Sequence, residues 1–404
     1  MADTAERVYL DHNATTPVRP EALEAMLPFL TERYGNASSI HAFGREARTA
    51  VETARLALAA ALGCDPAEVV FTGSGTEADN QAIKGVAFAS RERGDHLITT
   101  KIEHHAVLHS VEYLVKYHGY RASYLGVDGR GQVDPAELER SITDRTVLVS
   151  VMHANNETGT VQPLEEIAAI CQARGVTLHS DAVQSFGKLP LDLRRLPGVS
   201  LLSLSGHKIY APKGAGALFV RKGVRLHPLV HGGGHERHRR AGTENVAGIA
   251  ALAAAAGLAA REREAEQPRI AALRDRLWAG ITARIAAVHR NGDPQRCLAN
   301  TLNASFEYIE GESILLSLDM KGIAASSGSA CTSGSLEPSH VLMAMGMPVE
   351  LAHGSVRFSL GRGTTEAQID RTVDALAEAV ARLREMSPLS PGRSCAGAGG
   401  VKPS

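Results

Sequence analysis

Between residues 69 and 220 short apolar runs alternate with stretches of helical periodicity, and this alternation limits the fold more than any other feature. The apolar runs span residues 69–72, 96–100, 122–127, 146–152, 176–184, 199–204 and 216–220. Strands that are apolar on both faces must be covered on both, so the pattern predicts an α/β fold with a mostly parallel sheet and helices on either side. In such a sheet the C-terminal strand ends converge on one edge, where open α/β sheets bind ligands. Thr76, His104, Asn155, Asp181, Gln184, Ser205, His207 and Lys208 all fall at or just past predicted strand ends.

Each has an ordinary and a chemical reading. After the run 69–72 comes Gly73-Ser74-Gly75-Thr76, then a helix. A helix start of this kind offers free N–H groups and a positive dipole end to a phosphate. It matches neither GxGxxG nor GxxxxGKS, so a single phosphate monoester fits better than a nucleotide. The ordinary reading is a helix capped by Thr76. His104 suits general acid–base work or stacking on a flat ring, and equally a structural hydrogen bond. Asp181 ends an apolar strand, where a carboxylate is costly unless paired; one partner is a protonated pyridine nitrogen. Asn155 and its neighbours fit turn chemistry alone. Lys208 follows a buried strand, where an amine can be desolvated and made nucleophilic.

Composition narrows the function. The chain has 404 residues, which favours two domains, and a net charge of −1, which argues against nucleic-acid or membrane surfaces as partners. The first seven residues hold no apolar signal core and the Ala-rich run 249–260 is too short to span a bilayer, so a cytoplasmic protein is expected. Five cysteines, none in a CxxC pair, indicate neither a zinc site nor a disulfide framework. His231 and His235 have metal-like spacing, but the glycines between them oppose helical ligation. A helix over 246–265, a boundary at Gln267-Pro268 and a second helix over 269–288 are expected. Cys331 lies among small and polar residues at 326–335, an unusual place for a free thiol unless it must reach something. Arg357, inside an apolar strand, suits a planar anion or a salt bridge.

Nine segments in one order then resemble a single family: YLDHNATTPV, FTGSGTEADNQAIKG, KIEHHAVL, HANNETGTVQP, HSDAVQSFGK, SLSGHKIYAPKG, HGGGHERHRRAGTENVAGI, SSGSACTSG and VRFSLGR. The chain resembles the cysteine desulfurases of the NifS/IscS-like group, pyridoxal-phosphate enzymes of aminotransferase class V. The resemblance implies a type I pyridoxal-phosphate transferase fold with a seven-stranded sheet. It implies a large cofactor domain at 15–262 and a smaller α+β domain from 1–14 and 263–386 carrying the cysteine loop; the Pro/Gly/Ser-rich end, 387–404, is expected to be a disordered tail. It makes Lys208 the covalent anchor of pyridoxal 5'-phosphate and the base. Asp181 pairs with the ring nitrogen, Gln184 and Asn155 lie near the ring hydroxyl, and His104 stacks on the ring. Gly75, Thr76, Ser205 and His207 hold the phosphate, with Thr243 from the partner of a homodimer. Arg357 and Asn155 bind the substrate carboxylate. Cys331 takes sulfur from L-cysteine as a persulfide, leaving L-alanine. An iron–sulfur scaffold protein accepts that sulfur, with Cys331 near a cluster during transfer and no resident metal. A selenocysteine lyase or another class V enzyme is the alternative.

Overall fold

The computed structural model describes residues 7–327 and 337–389. In chain order its main elements are β1 (Val8–Tyr9), α1 (Pro20–Met26), α2 (Pro28–Thr31), α3 (Ala42–Leu62), β2 (Val69–Thr72), α4 (Gly75–Ala89), β3 (His96–Thr100), α5 (His105–His118), β4 (Arg121–Leu125), α6 (Pro135–Ser141), β5 (Thr146–Ser150), α7 (Leu164–Ala173), β6 (Thr177–Asp181), β7 (Leu201–Ser205) and β8 (Gly216–Val220). There follow α8 (Val246–Arg284), β9 (Val288–Asn291), β10 (Thr301–Phe306), α9 (Gly311–Asp319), β11 (Ile323–Ala324), α10 (His340–Ala344), α11 (Val349–His353), β12 (Ser355–Ser359) and α12 (Glu366–Met386).

The large sheet has seven strands in the order β2-β8-β7-β6-β5-β3-β4. Strands β4, β3, β5, β6 and β7 are parallel. β8 is antiparallel to both β7 and β2, so β2 points the same way as β7. Alternate residues of each strand serve opposite faces. Phe71, Leu178, Leu202 and Phe219 join a core with α3 and the first half of α8. Val70, Leu201, Leu218 and Val220 join another with α4 and α5. Burying each such side chain contributes about 1.5–3 kcal/mol, which is why the strands needed no polar face. A second sheet, β12-β10-β9, packs with the second half of α8, α9 and α12.

One expected break is absent. α8 runs unbroken for 39 residues through Pro268. Proline removes one hydrogen bond and crowds the preceding turn. Packing outweighs this: Ala251, Leu252 and Ala255 are held in the first core, and Ile270, Leu273, Leu277 and Ile281 in the β12-β10-β9 core. The chain changes core within one helix.

The histidine-rich loop folds back over the large sheet. Glu236 is buried, accepts two hydrogen bonds from the Arg55 guanidinium at 2.8 Å, and accepts a third from Phe71 N at 2.9 Å. Removing one partner leaves a buried charge uncompensated. Glu236→Ala should therefore lower stability by about 3–5 kcal/mol in urea unfolding; a change under about 1 kcal/mol, the range of an exposed pair, would contradict this account.

Candidate active site

Because β2 runs with the parallel strands, the segments after β2, β3, β5, β6 and β7 leave the sheet at one edge. Gly75 opens α4 there. The cap is Ser74, whose Oγ accepts from Glu77 N at 3.1 Å, and not Thr76, which is exposed in the first turn. A Cβ at Gly75 would lie 2.6 Å from Val183 Cγ2 and 3.3 Å from Ser205 Cβ. The absence of a side chain thus lets the α4 N-terminus, the end of β7 and the turn after β6 meet.

Lys208 ends a short 3₁₀ turn, Gly206–Lys208, after β7. Its Nζ donates to the carbonyls of Asn13 and, at 2.7 Å, Ala14. The N-terminal segment is stitched to this turn. Thr16 donates from N at 2.9 Å and from Oγ1 at 3.0 Å to His207 O, while Tyr210 N donates to Thr16 Oγ1 at 2.9 Å. Tyr210 is held at φ 68°, a left-handed conformation costly for a bulky residue, and Arg19 N donating to Tyr210 O at 3.0 Å helps hold it. His207 Nδ1 lies 3.2 Å from Thr15 Oγ1. Burial and the charges of Lys208 and Lys213 lower His207 to about 4, so its ring is neutral near pH 7.

Asp181 is buried at the end of β6, and its Oδ1 accepts from Val183 N at 2.8 Å. Burial raises it to about 6, while that hydrogen bond and Lys208 oppose the rise. Asp79 lies behind it. Burial and the Asp181 charge push Asp79 well above the usual carboxylate range. Gln184 Nε2 donates to Asn13 O at 2.9 Å, sharing that carbonyl with Lys208. His104 caps α5 through Nδ1, which accepts from Ala106 N at 3.1 Å. Burial, then Lys208 and three neighbouring histidines, lowers it to about 4. Its neutral ring, with Nδ1 as acceptor, carries its proton on Nε2.

Asn155 is fully buried after β5. Its Nδ2 donates to Ile102 O at 3.0 Å and its Oδ1 accepts from Glu157 N and Thr158 N. Arg357 donates from Nη2 to Asp11 at 2.9 Å and from Nη1 to Asn156 O at 3.0 Å. Its buried Nε has no hydrogen-bond partner among the described residues. Thr243 is exposed on the loop before α8 rather than enclosed with these residues. Cys331 lies outside the described residues, but the chain on either side is anchored here. Ser326 exchanges two backbone hydrogen bonds with Arg357, at 2.7 and 3.1 Å. Beyond it, Ser339 Oγ donates to Glu157, and His340 Nε2 lies 3.0 Å from Glu103 O, next to His104.

Asn13 and Lys188 are the residues that sequence reading assigned no role. Asn13 acts through its backbone carbonyl, which no side-chain pattern reveals; only its place in YLDHNATTPV marks it. Lys188 Nζ donates to Gln184 Oε1 at 3.1 Å.

The donor set fits pyridoxal phosphate: a glycine-opened helix start beside a serine for the phosphate, a buried carboxylate for the ring nitrogen, a neutral imidazole for the ring face, an amide and an amine. Buried histidines behind the site give it an acid-side weakness. His179 sits between Ser150 Oγ and Ser203 Oγ, both at 2.9 Å, and burial lowers it to about 3 against 6.5 ordinarily. The unfolded chain binds this proton first. The stability His179 contributes is therefore complete above pH 6.5 and is lost as pH falls toward 3. Urea unfolding of His179→Asn should show a shallower loss over that window; an unchanged slope would contradict it.

The seven-stranded sheet and this edge define a type I pyridoxal-phosphate transferase fold. The chain belongs to the aminotransferase class-V family, whose profile matches residues 8–372. It is 53% identical over 384 residues to a cysteine desulfurase IscS of Methanosarcina thermophila, covering 95% of this chain and 94% of that one. It is 52% identical over 393 residues to a cysteine desulfurase of Gluconacetobacter diazotrophicus, covering 97% and 98%. Among solved structures, a NifS-like protein aligns with TM-score 0.88 and 40% identity, over 93% of this chain and all of that one.

Proposed function

We infer that the chain is a pyridoxal-phosphate-dependent cysteine desulfurase that supplies sulfur for iron–sulfur cluster assembly. The observation that carries the chemistry is one edge holding a lysine amine, a buried carboxylate and a neutral histidine, with the chain on both sides of the segment 328–336, which includes Cys331, anchored beside them. Identity above 50% to two cysteine desulfurases over nearly the whole chain supports the substrate.

Asp181 would hold the ring nitrogen, His104 would cover the ring face, Gln184 and Asn155 would serve its hydroxyl, and Gly75, Thr76, Ser205 and His207 would hold the phosphate. Thr243 completes the phosphate site of the other subunit in a homodimer. Once bound, pyridoxal phosphate supplies an electron sink for charge at the substrate Cα. Arg357, whose buried Nε has no hydrogen-bond partner among the described residues, would take the substrate carboxylate. Lys208 removes the Cα proton. Cys331 thiolate attacks the substrate sulfur: an S–S bond forms, the Cβ–S bond breaks, its electron pair and the substrate's thiol proton pass to Cβ, and Lys208 returns a proton to Cα, giving alanine. His104, neutral with its proton on Nε2, would guide the substrate thiol by hydrogen bonding without giving up that proton. The Cys331 persulfide is then offered to a scaffold protein.

Mixing the enzyme with L-cysteine tests this reading. Equimolar alanine and a 32-dalton addition on the peptide bearing Cys331 are expected (the mass of one sulfur atom). Alanine without that addition would favour a selenocysteine lyase or another class V activity. Among the described residues no helix is long and apolar enough to cross a membrane.

A further inference from the structure

We propose that the groove between α12, α11 and the turn from β10 to α9 is a docking site for this chain's own residues 390–404, held there by Arg393 and Lys402 against four glutamates. Ser327 and Glu337 are among the residues that line this groove, so a tail seated in it lies against both ends of the segment 328–336.

The groove has a volume of about 1090 Å³. Ordinary small-molecule pockets hold roughly 300–1,000 Å³, so this one has room for a stretch of chain. Its walls join an apolar face to charge of one sign. Ile309, Leu351 and Leu383 are half-buried in it, and Met386 and Leu389 stand exposed at its end. Glu310, Glu312, Glu337 and Glu350 line it as exposed side chains, and none of the four is in an ion pair among the described residues. Glu307 is already bonded to His289 at 2.6 Å. No lysine or arginine of the described residues lines the groove. A cleft walled by one sign of charge draws a ligand of the other.

The tail begins at the groove wall. Ser387 Oγ donates to Tyr308 O at 2.6 Å and Leu389 N donates to Ser387 Oγ at 3.2 Å, which ties the chain down just before residue 390. Residues 390–404 contain Arg393 and Lys402 and no Asp or Glu. At up to about 3.6 Å per residue, Arg393 can reach about 14 Å beyond Leu389 and Lys402 about 47 Å. Most of the other residues are Gly, Ala, Ser or Pro, which let a backbone lie close to the walls. The segment 328–336 carries no charged residue and so offers the glutamates no counter-charge. Tethering favours the tail further. A short linker holds a segment at an effective concentration in the millimolar range, so exposed ion pairs that are individually weak suffice to seat it. Such pairs are screened by salt, which makes the docking reversible.

The test is zero-length carbodiimide cross-linking of the full chain loaded with pyridoxal phosphate. This reagent joins an amine to a carboxylate only where the two touch, and mass spectrometry identifies the joined peptides. Lys402 should be joined to Glu310, Glu312, Glu337 or Glu350. Arg393→Glu sets a like charge against those glutamates and should lower the yield of these links at least about threefold. The link between Lys321 and Glu378, an ion pair of α12 and the turn after α9, serves as the internal standard. The substitution lies in the tail and leaves every described contact in place. In a mixture of chains grown with heavy and with ordinary nitrogen, each joined pair should be wholly heavy or wholly light. Mixed pairs would give the groove to a second copy and overturn the proposal. A yield unmoved by Arg393→Glu, links from Lys402 to carboxylates outside the groove, or no link from Lys402 would overturn it too. Cross-linking needs no cysteine turnover, so its failure leaves the desulfurase reading standing.

Discussion

Lys208→Ala should release alanine from L-cysteine at least about a thousandfold more slowly than the unaltered enzyme, since on the proposed mechanism the change removes both the cofactor's anchor and the base. The loss should be chemical and not structural. The Thr16 to His207 and Tyr210 to Thr16 hydrogen bonds that hold this turn use no atom of the lysine side chain. Circular dichroism should therefore be unchanged. Pyridoxal phosphate should still bind through Asp181 and the α4 N-terminus, but release on dilution. Alanine formation within tenfold of the original rate would exclude Lys208 as base.

Cys331→Ala should separate sulfur transfer from cofactor binding. It should retain the visible absorption of bound pyridoxal phosphate while persulfide and sulfide formation fall by at least about a hundredfold, the nucleophile being lost. Two other thiols are the natural controls. Burial raises Cys64 and Cys171 to about 12, so both stay protonated and are poor nucleophiles. Cys64→Ala should keep most of the activity. Sulfide production at the original rate by Cys331→Ala would sink the assignment.

The sheet was legible because strands buried on both faces must be apolar throughout, and β5, β7 and β8 are buried at every position. The strand-end residues were legible for a related reason: a buried carboxylate such as Asp181 or a glycine such as Gly75 is unfavourable there without a use. α8 was misread because Pro268 signals a stop locally, while the packing that overrides it comes from distant residues on two cores. Asn13 escaped because a backbone carbonyl has no sequence signature. Asp79, within α4, reads as an ordinary helical acid; only the fold sets it against Asp181. For Arg357 the sequence admits either an anion site or a salt bridge; in the fold Nη2 is bonded to Asp11, while the buried Nε has no hydrogen-bond partner among the described residues.

The stitching of residues 13–16 onto the Lys208 turn has a consequence for how the enzyme matures. β1, just before that segment, pairs in parallel with Ile323–Ala324, more than 300 residues later, and Asn13 N donates to Ser359 Oγ. During synthesis the first strand emerges long before either partner exists. The contacts that tie this segment to residues 323–324 and 359 cannot form until translation is almost finished. The central sheet, residues 69–220, can assemble first, with its phosphate cradle and Asp181 in position. The seat of the Lys208 amine is therefore the last part of this edge to gain all its supports.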